Sequence, residues 1–446
     1  MAADGDKDPV THSQDSRLNP WLNWLLLFAV LVAAAGFADD ARDTAKFGGV
    51  DLRNRVTGAR QLLEGLDPYH FKWTSDYSEK LLDPNDSPNF PVTMVTVPPT
   101  VLALQAPVAS LPYKAQRAGW FALQWATLIA STAMLAHVTG SREKRKAIWI
   151  VGLLFIGGSL LWRLHVERGQ IYILYVFLLA AAIRLSQSRF SGSALASGFL
   201  LGMTAALRPP AALMLLPMLI YRKWKMLAGS VAGAITTLGA SFLLADISIW
   251  RSYFSVTKTW SDIFQGVIAF DYAGYGDRVI EGMYTLTYRS DTPTYDSSLQ
   301  AVLQPAGLNL SSLPLLAVLT LVVAAAVIFL LKVRRADAPL PLLFLAGSVL
   351  VLISEFFLPA RRYTYNDIIW LIPLSLIIIS SGSLVSLLKR PQVILLVIAL
   401  IFGVIFWISD SMVSYGVVIS DYAMVFYLSA TAVSLFWRRY AQLRNV

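Results

Sequence analysis

Apolar runs of about 20 residues, long enough to cross a bilayer as helices, recur from Trp21 to Trp437. They constrain the fold more than any motif does. The chain has 446 residues, of which 56% are hydrophobic and 15% charged, and its mean hydropathy is +0.57. In soluble domains roughly a quarter of residues are charged, so a soluble fold of this length has too little polar side chain to cover so much apolar surface. The expected fold is all-α and polytopic. About twelve transmembrane helices are expected, near 21–38, 118–138, 147–163, 171–185, 193–206, 209–221, 226–246, 313–331, 338–354, 367–387, 392–408 and 422–436. The stretches 193–206 and 209–221 are short and suit a broken pair. No cleavable signal peptide is expected, because the first apolar run leads into acidic sequence without a small-residue cleavage pattern.

The connections between runs alternate in charge. Arg17, SREKRK at 141–146, RLSQSR at 184–189, RKWK at 222–225, KVRR at 332–335, LLKR at 387–390 and WRRY at 437–440 form a basic set. The positive-inside rule puts this set, and both termini, in the cytoplasm. The net charge of +9 is assigned to these loops rather than to a nucleic-acid partner. The opposite set is longer and more acidic or aromatic, and it faces outward. On this reading the chain divides into a cytoplasmic tail (1–20), a transmembrane module (21–246) that includes an outer loop at 39–117, a second extracytoplasmic loop (247–312), and C-terminal helices (313–446). The second loop, with FDYAGYGDRVIEGMYTLTYRSDTPTYD, suits recognition of a ring-shaped polar ligand or serves as an ordinary cap. With no cysteine, the chain has neither disulfides nor thiolate chemistry.

The first outer loop opens on DLRNRVTGARQLLEGLDPY at 51–69. Leu52, Val56, Ala59, Leu63 and Leu66 recur at helical spacing, which predicts an amphipathic helix soon after a membrane exit. Asp51 suits its N-cap and Gly65 its C-terminal cap. The alternative is a carboxylate held at headgroup depth for chemistry. VPPTVLALQAPVASLP at 97–112 predicts a second helix in or dipping into the interface. Asp39 and Asp40 are further acidic candidates at the end of the first run.

Cations on the outer side are few. Arg163 and Arg168 flank His165 and Glu167, Arg208 lies in ALRPP, and Arg361 and Arg362 lie in LPARRYTYND. Arginine matches phosphate geometry, and a charge near membrane depth is costly without an anion. Arg208 therefore holds either a phosphate or a carboxylate such as Glu167 or Glu355. Arg361 and Arg362 are structural or headgroup anchors. His165 with Glu167 and Gln170 forms a polar group at a span end, and a lone histidine of this kind usually has a structural role. Histidine spacing for a metal, a P-loop and a Rossmann glycine pattern are all missing from the sequence, so no metal site or cofactor is expected.

Four stretches resemble the GT-C superfamily of membrane glycosyltransferases, most closely glycosyltransferase family 87. They are DLRNRVTGARQLLEGLDPY, VPPTVLALQAPVASLP, ERGQIYILYVFLLAAAIR at 167–184 and GFLLGMTAALRPPAALMLLPMLIYRKW at 198–224, in that order. The resemblance implies a polyprenyl-phosphate hexose donor, mannose-like, and a glycolipid or glycan acceptor. It implies transfer on the extracytoplasmic face of a multi-pass protein, expected in a bacterial inner membrane among lipids. It also implies that Asp51 is the catalytic base. Asp39 or Asp40 is the next candidate, for catalysis, acceptor positioning or a divalent cation. Arg208, with His165 or Arg168, is the candidate phosphate site, and Gln170, Arg361, Arg362 and Tyr69 are candidate substrate contacts. One carboxylate suffices for a single inverting displacement, since a neutralised phosphate leaves without an acid. The competing readings are a secondary transporter or flippase and a non-catalytic scaffold. A transporter would show repeat halves and ionisable residues within several spans, whereas here the charges gather at span ends.

Overall fold

The computed structural model describes residues 9–47, 49–71, 73–82, 95–264, 296–303, 306–308, 310–335, 337–358, 360, 362–408 and 413–444. Among these residues the fold is all-helical, with one isolated bridge between Asp296 and Tyr363. In chain order the helices begin with α1 (Pro9–Phe47), α2 (Val50–Leu63), α3 (Pro99–Gln105), α4 (Tyr113–His137), α5 (Arg142–Ile150) and α6 (Leu160–Arg168). Next come α7 (Tyr172–Ser186), α8 (Ser193–Leu207), α9 (Leu215–Ile220), α10 (Trp224–Phe242), α11 (Ile247–Phe264) and α12 (Leu299–Leu303). The last six are α13 (Ser312–Val333), α14 (Leu340–Phe357), α15 (Leu371–Ser380), α16 (Leu384–Leu388), α17 (Val393–Ile408) and α18 (Val413–Arg444).

Five of these helices are long and apolar enough to span a membrane, and up to seven spans result if two bent pairs each cross once. This is fewer than the about twelve that hydropathy predicts. The difference is one of length. Helices α7 and α8 have 15 residues each, about 22 Å at 1.5 Å per residue against a core of roughly 30 Å. The run expected at 209–221 is a tight 3₁₀ stretch, Pro209–Met214, followed by the six-residue α9. The run expected at 147–163 passes through a π-helical segment, Val151–Gly157, and then bends by 59° into α6.

The helices sort by their surroundings. Helix α13 has mean hydropathy 2.9 over its most apolar 18 residues, of which only 11% are buried, so most of its apolar side chains lie at the outer surface of the bundle. Helix α14 is 78% buried and runs through the centre of the core with α15. Helices α8 and α10 come into backbone contact. A Cβ at Gly198 or Gly202 would lie 1.9 Å from the carbonyl oxygen of Met226 or Ser230. From the other side, one at Gly229 or Gly233 would lie 2.1 or 2.0 Å from that of Leu195 or Phe199. Small residues at such an interface let membrane helices approach closely enough for dispersion to hold them.

The two outer-loop helices form where the sequence predicts them. Their surroundings differ, because α2 buries Leu52, Arg55, Val56, Thr57, Gly58, Ala59, Gln61 and Leu62. Its apolar side packs into the protein rather than lying on lipid, with Val95 and Leu102 against Gly58. In the second loop, α11 occupies the start, meeting α10 at 103°. Asp246 caps it by accepting from the Ser248 and Ile249 N–H groups at 2.8 and 3.1 Å. The aromatic stretch expected to recognise a ligand lies outside the described residues up to 295.

Candidate active site

Helix α2 is held at both ends by glycines with left-handed backbone. Gly65, with φ +71, follows its last turn. The Leu66 N–H reaches the Gln61 carbonyl at 2.9 Å, and that of Gly65 reaches Leu62 at 3.1 Å. This is the double bond pattern of a Schellman ending. Gly49, with φ +71, is the N-cap, and a Cβ there would lie 3.0 Å from the Arg117 guanidinium. Asp51 is therefore not the cap and makes no bond to its own helix N-terminus.

Instead, the Asp51 carboxylate faces the end of α6. Arg168 donates to its Oδ2 through Nε at 2.6 Å and to Oδ1 through Nη2 at 3.3 Å, and Gln170 donates to Oδ2 through Nε2 at 2.7 Å. Gly169, with φ +70, makes this approach possible, since a Cβ there would lie 2.7 Å from the Leu52 Cβ. Two buried guanidiniums fix the same turn. Arg117 donates to the Val166 and Glu167 carbonyls, both at 2.9 Å, and Arg55 donates to the Gly169 carbonyl at 2.6 Å. Cations at a helix C-terminus satisfy its free carbonyls and its dipole together. Burial pushes the Arg55 guanidinium down to about 10, and Asp51 partly offsets this.

From Arg168 a line of aromatic rings leads to a second ion pair. The Arg168 guanidinium lies 5.4 Å over the Tyr365 ring, which is 6.0 Å from the Tyr172 ring. Arg208 lies 4.2 Å over the Tyr172 ring and 5.7 Å over that of Tyr175, and it pairs with Glu355. Each arginine thus has one carboxylate and at least one aromatic face. Behind Glu355 lies Arg362, fully buried and paired with Asp367 and Asp421, with the Ser297 hydroxyl at 2.7 Å.

The sequence candidates fall into separate groups. Asp51, Arg168 and Gln170 come together as one unit. Arg208 takes Glu355, one of the two carboxylate partners the sequence suggested. His165 is wholly buried, stacked 5.4 Å from Trp162. Its Nε2 accepts from the Ile173 N–H at 3.3 Å and its Nδ1 faces the Gln124 amide at 3.1 Å, so both ring nitrogens are engaged inside the protein. Tyr69 is buried too and donates to the Val97 carbonyl at 2.7 Å. Asp40 accepts from the Trp125 indole at 3.1 Å, Asp43 pairs with Arg163 at 2.6 Å, and Asp39 is exposed. Arg362 is an internal ion-pair centre rather than a headgroup anchor, and Arg361 lies outside the described residues. Among the described residues no three His, Asp or Glu side chains converge as a metal would require. Sequence reasoning missed Tyr172 and Tyr365. The signal for Tyr365 was its place three residues after Arg362 in RRYTYND.

The family model of glycosyltransferase family 87 matches residues 96–355, more than half of the chain. The chain belongs to glycosyltransferase family 87. It is a membrane glycosyltransferase. No functionally curated protein matches it. The stretch shared with family 87 carries Arg168, Gln170, Arg208 and Glu355, and it ends at Glu355. Asp51 lies before that stretch and Tyr365 after it, so the folded geometry is what joins both to the family 87 segment.

Proposed function

We propose that this family 87 enzyme transfers a mannose-like hexose from a polyprenyl-phosphate donor to a hydroxyl of a glycolipid or glycan on the extracytoplasmic side. Asp51 acts as general base in a single inverting displacement. The observation that carries this reading is the Asp51 carboxylate itself. Oδ2 takes two close donors, at 2.6 and 2.7 Å, while Oδ1 has only the 3.3 Å contact. The side chain is fixed in orientation yet keeps one oxygen for a proton, as a base requires.

In the step, the acceptor hydroxyl gives its proton to Asp51 Oδ1 as its oxygen bonds to the anomeric carbon. The bond from that carbon to the phosphate oxygen breaks, and its electron pair leaves with polyprenyl phosphate. Negative charge grows on the phosphate, so a nearby guanidinium lowers the barrier. Arg168 suits this role, because Nε and Nη2 face Asp51 and Nη1 remains for another acceptor. Arg208, beyond Tyr365 and Tyr172, is the second cation of the site, with Glu355 as its partner when no donor is bound.

The test is Asp51→Asn in nanodiscs, with radiolabelled polyprenyl-phosphate sugars and a lipid extract as acceptor source. Transfer should fall by roughly 10²–10⁴-fold while donor binding stays close to wild type. Transfer at the wild-type rate would remove Asp51 from the base role.

A further inference from the structure

The segment from Arg362 to Asp367 lies beyond the stretch shared with family 87, yet its Tyr365 ring reaches the Asp51 site. The Tyr365 ring is stacked on Tyr363 with centroids 5.2 Å apart and 16° between planes, and the Arg168 guanidinium lies over it at 5.4 Å. Arg168 is therefore held from two directions, by the Asp51 carboxylate and by an aromatic face. We propose that Tyr365 is a positioning residue for the Asp51–Arg168 pair, and that Arg362 is the anchor that sets it there.

The anchor is built at considerable cost. Arg362, Asp367 and Asp421 are each no more than 2% exposed. Burying charges like these costs several kcal/mol each unless geometry and hydrogen bonds compensate, and an apolar cluster of similar volume would usually be as stable. What the ions supply is a unique placement. Arg362 binds Asp367 within its own segment and Asp421 on α18. Its backbone N–H donates to Asp296 at 3.0 Å, and its carbonyl accepts from the Ser297 N–H at 3.1 Å. The stretch at 296–297 and α18 meet on Arg362, and Tyr365 lies between Arg362 and Asp367 in the segment they fix. A ring placed this firmly limits the rotamers open to Arg168, and through Arg168 it sets which Asp51 oxygen is left for the acceptor.

This inference rests on Asp51 being the base, so its test uses coupling as well as activity. Four proteins are compared in nanodiscs: wild type, Tyr365→Leu, Arg168→Gln and the double variant. Steady-state kinetics are measured for donor and acceptor. Tyr365→Leu should lower kcat by roughly 3- to 30-fold, the range of a partly desolvated cation–π contact, and leave both KM values within about twofold, as for an interaction realised in the transition state. Tyr365→Phe, which keeps the ring face, should restore kcat to within about threefold of wild type. The double variant should be no slower than Arg168→Gln alone, because Tyr365 acts through that side chain. Losses that multiply in the double variant, or a wild-type kcat for Tyr365→Leu, would overturn the proposal. Tyr365→Met, which keeps bulk without a ring, carries the same comparison if Tyr365→Leu does not accumulate as folded protein. An active Asp51→Asn would instead count against the base assignment, and the measured coupling between Tyr365 and Arg168 would stand apart from it.

Discussion

Arg168 and Asp51 are 117 residues apart in sequence, and they meet with Nε 2.6 Å from Oδ2. Lysine at 168 keeps the charge but lacks the fork that reaches both carboxylate oxygens. Arg168→Gln removes the charge as well. Turnover should fall about 10- to 100-fold in Arg168→Gln, on the scale of one hydrogen bond to a charged group, and by less in Arg168→Lys. The pair is partly exposed, so the unfolding temperature should change little in either variant. A large stability loss with unchanged turnover per folded molecule would mark the pair as structural.

Arg208 and Glu355 pose the opposite case. Their side chains are 11% and 4% exposed, and removing Arg208 leaves Glu355 with only the 3.9 Å contact to the Arg362 Nε. Arg208→Ala should destabilise the protein by about 3–5 kcal/mol, seen as a lower unfolding temperature in detergent. Glu355→Gln should cost less, because an amide still accepts from the guanidinium and from neighbouring donors. Donor affinity decides the second role. If Arg208 also contacts the phosphate, Glu355→Gln frees it and should bind donor more tightly than wild type. Unchanged donor affinity in Glu355→Gln would leave Arg208 as a purely internal pair.

The sequence showed the site's parts better than their arrangement. The apolar period in LRNRVTGARQLL predicts α2 and its glycine ending, because both are local. The capping residue, Gly49, has a left-handed backbone, and a Cβ there would lie 3.0 Å from the guanidinium of Arg117, 68 positions further on. Asp51 could be singled out as an acid at a membrane exit. Its partners follow from Gly169, which lets Leu52 approach the α6–α7 turn. The ring line through Tyr365 depends on a segment nearly 200 residues further along the chain, and no periodicity in either segment encodes that meeting. The twelve runs expected from hydropathy exceed the five to seven spans that helix length supports. Hydropathy measures how apolar a run is, and both a membrane span and a short buried helix, such as α9, satisfy it.

The α8–α10 contact yields a sharp contrast between glycines. A methyl at Gly202 would sit 1.9 Å from the Ser230 carbonyl oxygen, and backbone cannot rotate out of the way as a side chain can. Gly202→Ala should therefore cost about 3 kcal/mol, the top of the usual overpacking range. A methyl at Gly239, near the end of the same α10, would meet no heavy atom within 4 Å. Gly239→Ala should be neutral or gain up to about 1 kcal/mol from helix propensity. Thermal unfolding of both variants in one detergent gives the comparison, and equal shifts would contradict the close approach.

Orientation in the membrane is open to a direct chemical test, because the chain has no cysteine to remove. The basic connections predict that 184–189 is cytoplasmic and that the loop carrying Asp51 is on the other side. Probe positions must be exposed as well as correctly placed. Ser297 is unsuitable, since its side chain is buried against Asp421 and Arg362. Ser75 and Gln187 are both exposed. In intact cells an impermeant maleimide should label Ser75→Cys and spare Gln187→Cys, and permeabilised cells should label both. The reverse pattern would place Asp51 on the cytoplasmic side. The acceptor would then have to be a cytoplasmic-face glycolipid, whatever the chemistry at Asp51.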